Sequence, residues 1–213
     1  MRLIARRLCL DFVNTVGGRV SRRTGGHLRD YADGVVQDRI AGYEDLLAWS
    51  RLAGSIPKNE ASRLRRRAAL HPRDAAAALA RAVDLREALY RIFKSCVEGW
   101  PPRQSDIDTL RAELSIARSH ERLARSAGNF VWLWEDQRHP LDRVLWPVSR
   151  SAADMLTSAD LSRIRQCERR DCGGIFLDTT RNRSRRWCDL CSCGRMPKPA
   201  KTFCAAAAGA QFV

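Results

Sequence analysis

The chain has 213 residues, 45% hydrophobic and 29% charged, with a formal net charge of +14 and a pI near 10.3. That length and composition suit one buried core with a small appendage and exclude a collagenous or low-complexity chain. No apolar run approaches the roughly 20 residues of a bilayer helix, so no membrane span is expected, and the charge excess points to a polyanionic partner, most simply nucleic acid.

The opening MRLIARRLCLDFV is faintly like a secretion signal, but Arg6, Arg7 and Asp11 interrupt it and no small-residue cleavage site follows, so a cytoplasmic protein is expected. Thiols stay reduced there, and clustered cysteines are then expected to hold metal or do redox work rather than form structural disulfides. In LCLDFVNT, Asp11 and Asn14 stand among Leu8, Leu10, Phe12 and Val13, and burial would require both to be hydrogen-bonded. Two readings stay open: they cap a helix or tie down the next loop, or, with Thr15, they bind a small-molecule effector. Gly17 to Gly34 reads as a loop of a length that is often functional.

From Tyr43 to about Leu161 the pattern is mainly helical. Leu46, Trp49 and Ala53 form one stripe, closed by Gly54 before Pro57 opens the next segment. A long helix is predicted from about Arg73 to Val97, with Leu85, Leu89, Ile92 and Cys96 on one face and Gly99-Trp100-Pro101-Pro102 as its stop. Ser105 is the expected N-cap of a further helix carrying Ile107, Leu110, Leu114 and Ala117. Gly128-Asn129 between two alternating runs predicts a hairpin, and Leu145, Val148, Ala152 and Met155 a last helix that tolerates Pro147 in its first turns. These helices are expected to pack on the opening motif as a body complete by Ser162. His27, His71, His120 and His139 lack triad spacing, and no HExxH or phosphate loop is present, so no enzyme is expected.

Five of the eight cysteines fall between Cys167 and Gly194. Cys167 and Cys172 form one C-x4-C pair and Cys188 and Cys193 a second, the arrangement by which two tight turns close a thiolate tetrahedron around one zinc ion. Cys191 offers an alternative fourth ligand, or a resolving thiol should oxidation eject the metal. Ile175 to Leu177 and the region of Trp187 are expected to pair as a minimal hairpin, with metal binding supplying most of the folding free energy. Cys9 and Cys96 are expected to be small core residues.

The pattern C-x4-C, FLDTTRNRSRRWC and a second C-x4-C before Gly194 resembles the CGNR-type zinc finger, and LCLDFVNTVGGR resembles the opening of the ABATE domain of stress-induced transcription regulators. YEDLLAWSRLAG, DLREALYRIF and WPVSRSAADML extend the resemblance over most of the chain, although GRMPK stands after Cys193 in place of the family's GNRxK. The resemblance implies a zinc-binding, DNA-contacting finger and a helical ligand-sensing domain. The fold expected is therefore mainly α with a small β-hairpin: a helical domain over 1–162, a small four-cysteine zinc finger over 163–201 and a disordered tail over 202–213.

About half the net charge lies between Arg163 and Lys201. Arg181, Arg183, Arg185 and Arg186, with Arg195 and Lys198, are candidate phosphate contacts, because a guanidinium fork bonds paired oxygens. In a strand, Arg183, Arg185 and Trp187 would share one face and Arg186 would take the other. The leading expectation is a DNA-binding transcription regulator; the alternative is an RNA-binding or protein-interaction module with a structural zinc knuckle.

Overall fold

A computed structural model describes residues 3–19, 37–135, 140–169, 172–190 and 192–194. The loop tip, Cys191, Arg195, Lys198, His27, His139, Cys204 and the tail lie outside the described residues.

The opening motif folds as a short helix, α1 (Leu8–Val13), buried at five of its six positions. Val16–Gly17 (β1) then pairs antiparallel with Gln37–Asp38 (β2), so the long loop leaves and returns at one point. Helix α2 (Tyr43–Leu52) begins where the Asp45 carboxylate reaches back to accept the N–H groups of Ala41 and Gly42, both at 3.0 Å. It buries Leu46, Leu47 and Trp49. Helix α3 (Lys58–Leu70) follows after Pro57 and buries only Ala61 and Leu64.

Helix α4 (Pro72–Glu98) has 27 residues, about 40 Å at 1.5 Å each, with proline in its first turn and Gly99 as its left-handed C-cap. Its buried stripe runs Ala75, Ala78, Ala82, Leu85, Leu89 and Ile92, and α1, α2, α3 and α5 pack along it. Helix α5 (Gln104–Ser119) starts two residues before the expected point. Arg103 is the N-cap and Ser105 lies inside the first turn, where the buried Asp106 carboxylate accepts from Arg91 at 2.6 to 3.1 Å.

The hairpin is present as β3 (Glu121–Ser126) and β4 (Asn129–Trp134). Its turn is Ala127–Gly128, both at positive φ, as a two-residue turn matched to strand twist requires. Trp134 packs on Trp146, which stacks on His120 with ring centroids 4.0 Å apart, while Phe130 and Trp132 near the tip face solvent. A 3-10 turn (Leu141–Leu145) leads into α6 (Trp146–Thr157), whose Val148, Ala152 and Met155 lie in the core, with α1 and α5 packed on the helix. Cys9 is fully buried and Cys96 half-buried.

One expectation about the C-terminal segment is corrected. Ile175–Leu177 (β6) pairs not with the region of Trp187 but with the preceding Ile164–Gln166 (β5), in the register Ile164↔Leu177. The cause is Asp178. Its carboxylate accepts from the Thr180 N–H (2.9 Å) and hydroxyl (2.6 Å) and from the Arg185 N–H (3.0 Å), which rolls 178–185 into a closed loop instead of a returning strand.

The buried core also continues past Ser162. Ile164, Ile175, Phe176 and Leu177, with Cys167 and Cys188, belong to the same buried cluster as Leu10, Phe12, Leu89 and Phe93. A finger this small cannot bury three consecutive apolar residues by itself, so β6 uses the faces of α1 and α4. The molecule is mainly helical with three small antiparallel strand pairs among the described residues.

Candidate metal centre and its junction with the body

The sulfurs of Cys167, Cys172, Cys188 and Cys193 lie within 4.8 Å of one another, and three of the edges, Cys172–Cys188, Cys188–Cys193 and Cys193–Cys172, are 3.5 Å. Four thiolates at about 2.3 Å from zinc would stand about 3.8 Å apart, so spacing and donor type fit that metal. The two turns that present them are built from backbone. The Cys167 N–H donates to Gly174 O at 2.8 Å, and the N–H groups of Cys193 and Gly194 donate to Asp189 O at 2.9 and 3.0 Å. Hydrogen bonds from Cys172 and Cys188 pull the Cys167 thiol far below its usual range, while the protons crowd onto Cys172 and Cys188, which are pushed up. A metal cation bound there would replace those protons, and Cys167, Cys172, Cys188 and Cys193 would supply it with four sulfur ligands.

Gly173 explains why the first knuckle needs glycine. Its φ is +64, and a Cβ there would collide with the carbonyl oxygen of Arg19. The finger thus abuts the root of the long loop. Arg19 is itself anchored, donating to both Glu87 oxygens at 2.7 Å with its guanidinium 4.1 Å from the centre of the Tyr90 ring. The Tyr90 hydroxyl donates to Gly173 O and accepts from Gln166, both at 3.3 Å. Arg86, buried beside it, holds the Asp38 carboxylate at 2.6 and 2.8 Å.

The three opening-motif candidates are drawn into hydrogen bonds within the chain, two of them at this junction. Asn14 donates to Ile175 O at 2.6 Å and accepts from the Ile175 N–H at 2.9 Å, reading one peptide of β6 in full. Thr15 donates to Phe12 O at 2.7 Å and accepts from Arg86. Asp11 accepts from the N–H groups of Ile4 and Ala5 through one oxygen at 2.7 and 2.9 Å, while its other oxygen is buried without a hydrogen bond. All three tie chain to chain, which is the helix-and-loop reading of the motif.

Burial pushes the Asp11 carboxyl up to about 6, against the opposing pull of the Ala5 and Ile4 amides and of Arg185. The folded state therefore holds this proton more tightly than the unfolded chain. The resulting stability is full below about pH 4 and lost as pH rises through about 6. Asp11→Asn keeps the acceptor for Ile4 and Ala5 and removes the titration. Its stability relative to wild type should rise by roughly 1–3 kcal/mol between pH 4 and pH 7 in denaturant titrations at saturating zinc. Parallel curves would contradict this account of Asp11.

The arginines separate into two groups. Segment 181–187 is a loop with Arg183 at positive φ, so the expected strand alternation does not occur. Arg185 turns inward: it lies 4.5 Å over the Phe176 ring and donates to Trp187 O, Leu177 O, Ile4 O and Cys188 O. A side chain holding four carbonyls is not free for phosphate. Arg186 pairs with Glu168 at 2.5 Å and lies over Trp187, while Arg181 and Arg183 are exposed on the turn without an ion pair among the described residues. Sequence reasoning missed Arg86 and Tyr90, whose partners Asp38 and Gly173 stand tens of residues away and leave no local signal.

The family described as “Putative stress-induced transcription regulator” (ABATE) matches residues 6–159, and the CGNR zinc finger matches 163–205. No curated protein matches the chain. No helix among the described residues is long and apolar enough to cross a membrane.

Proposed function

Because the chain belongs to the ABATE family and carries a CGNR finger, we propose that it regulates transcription by binding DNA through the finger, one zinc ion per chain closing the four-cysteine site. The helical body serves as the sensor, and the protein acts by binding rather than catalysis. The supporting observation is the finger turn: Arg181 and Arg183 are exposed, without an ion pair among the described residues, on a loop locked by Asp178 between the two cysteine pairs in the chain. Guanidinium groups on so rigid a support lose little entropy on meeting phosphate. The effector is assigned to a cavity of about 400 Å³ with Trp134, Pro147 and Met155 as apolar lining and Arg7 and Arg150 at its polar side.

Arg181→Gln/Arg183→Asn, with asparagine chosen because it tolerates positive φ, should reduce the slope of log affinity against log salt by about two on duplex DNA, at equal zinc content. An unchanged slope would overturn the reading. A change on single-stranded RNA alone would transfer it to RNA.

A further inference from the structure

The charge excess of this protein sits in two places. Between Arg163 and Lys201 the chain carries +7, and between Arg51 and Arg73 it carries +6, seven basic residues against the single acid Glu60, which leaves the remainder of the +14 molecule near neutral. The second segment is the corner formed by α2, the turn holding Gly54, and α3. We propose that α3 is a second DNA-binding element, a helix whose outer face meets the phosphates of a duplex. The inference rests on the nucleic-acid reading above.

Three observations carry it. The nearby acids leave most of this face unneutralised: Glu60 turns inward to Arg143 at 2.9 Å, and Glu44 pairs with Arg65 and also feels the charge of Arg51. Lys58, Arg63, Arg66 and Arg67 are left with no ion pair among the described residues, and Arg51 and Arg73 extend the charge at either end. At about 100° per residue, Lys58 stands on one flank of the outer face and Arg67 on the other, with Arg66 and Arg63 between them. A helix with cations on both flanks suits the major groove, which is about 12 Å wide and walled by phosphate on both sides. Finally, α3 gives Ala61 and Leu64 to the core, with Ala68 packed against it, so its outer face remains available beyond what packing requires. Among the described residues, the finger turn, with Arg185 and Arg186 engaged within the chain, offers Arg181 and Arg183, and α3 would add a second source of phosphate contacts.

Binding of the intact, zinc-loaded chain to a fluorescent DNA duplex across a salt series tests this. Arg63→Gln/Arg66→Gln keeps good helix formers at two exposed positions. It should lower the salt slope by about two and the affinity at 0.1 M salt more than ten-fold. Lys58→Gln/Arg73→Gln, at the ends of the patch, should act in the same direction. Arg103→Gln/Arg111→Gln on α5 makes the same charge change elsewhere and should leave the slope within about half a unit of wild type.

An equal loss in the α5 variant would show a bulk charge effect and overturn the proposal. So would an unchanged DNA slope in the α3 variants, including the case in which they lose binding to vesicles of anionic phospholipid instead. If the finger variant lowers the slope and the α3 variants do not, only this inference fails. A wild type with no duplex binding at any salt would end the nucleic-acid reading itself.

Discussion

Stripping zinc from the intact chain with a chelator is expected to lower the melting temperature of the whole molecule by about 10 °C or more, in one transition. The finger is not expected to fall away from a folded body. Zinc contributes about 10–16 kcal/mol to small thiolate fingers, more than the roughly 5–15 kcal/mol that holds an average domain together. Here that energy passes into the body. Cys172 and Gly174 lead directly into Ile175, Phe176 and Leu177, all buried against α1 and α4, and each such side chain contributes about 1.5–3 kcal/mol. Without the metal, the first knuckle is held against the body only by the Tyr90–Gly173 hydrogen bond and the Asn14 clamp on Ile175 among the described residues. Acid acts in the same direction, since protons compete with zinc for the sulfurs as pH falls. Two separated transitions in a calorimetric scan of the metal-free protein would contradict the account.

Asn14→Ala is expected to cost about 2–4 kcal/mol, because it leaves both polar groups of the Ile175 peptide without a partner at the junction. The midpoint of denaturant unfolding should fall without a change in slope. Zinc affinity should fall with it, about ten-fold, since Asn14 positions the strand that leaves the first knuckle and its side-chain oxygen adjoins Gly174. Asn14→Asp separates the two halves of the clamp. It still accepts from the Ile175 N–H but opposes the Ile175 carbonyl with a carboxylate, and should be at least as damaging. A cost below about 0.5 kcal/mol for Asn14→Ala would remove the clamp from the account.

What the sequence made legible was what local rules govern. Gly99 ends α4 and Pro147 sits in the first turn of α6, each through backbone angles that its own residue dictates, and the hairpin was legible although its turn is Ala127–Gly128 rather than Gly128–Asn129. The four cysteines were legible because ligand spacing is also local. Helix α3 showed only its beginning, since two buried residues in thirteen make a faint periodicity.

The junction was illegible for the opposite reason. Asn14 and Ile175 stand 161 residues apart, Arg185 and Ile4 181 apart, and neither member of a pair carries any mark of the other. The same blindness made Arg185 look like a phosphate contact. An arginine bound to four carbonyls and an arginine open to solvent have one composition, and only the loop closed by Asp178 distinguishes them. The division of the chain near Ser162 is likewise real in sequence, where the two family matches meet, but physically the core runs across it.

The central claim, that the zinc site closes the body as well as the finger, is tested most directly by amide hydrogen exchange on the full chain with and without zinc. Helix α1 packs on β6 and α4 on both β5 and β6, and the amides of both helices should lose protection on metal removal together with Ile164–Gln166 and Ile175–Leu177. Loss of protection confined to 163–194, with α1 and α4 unchanged, would show two independent units and contradict it.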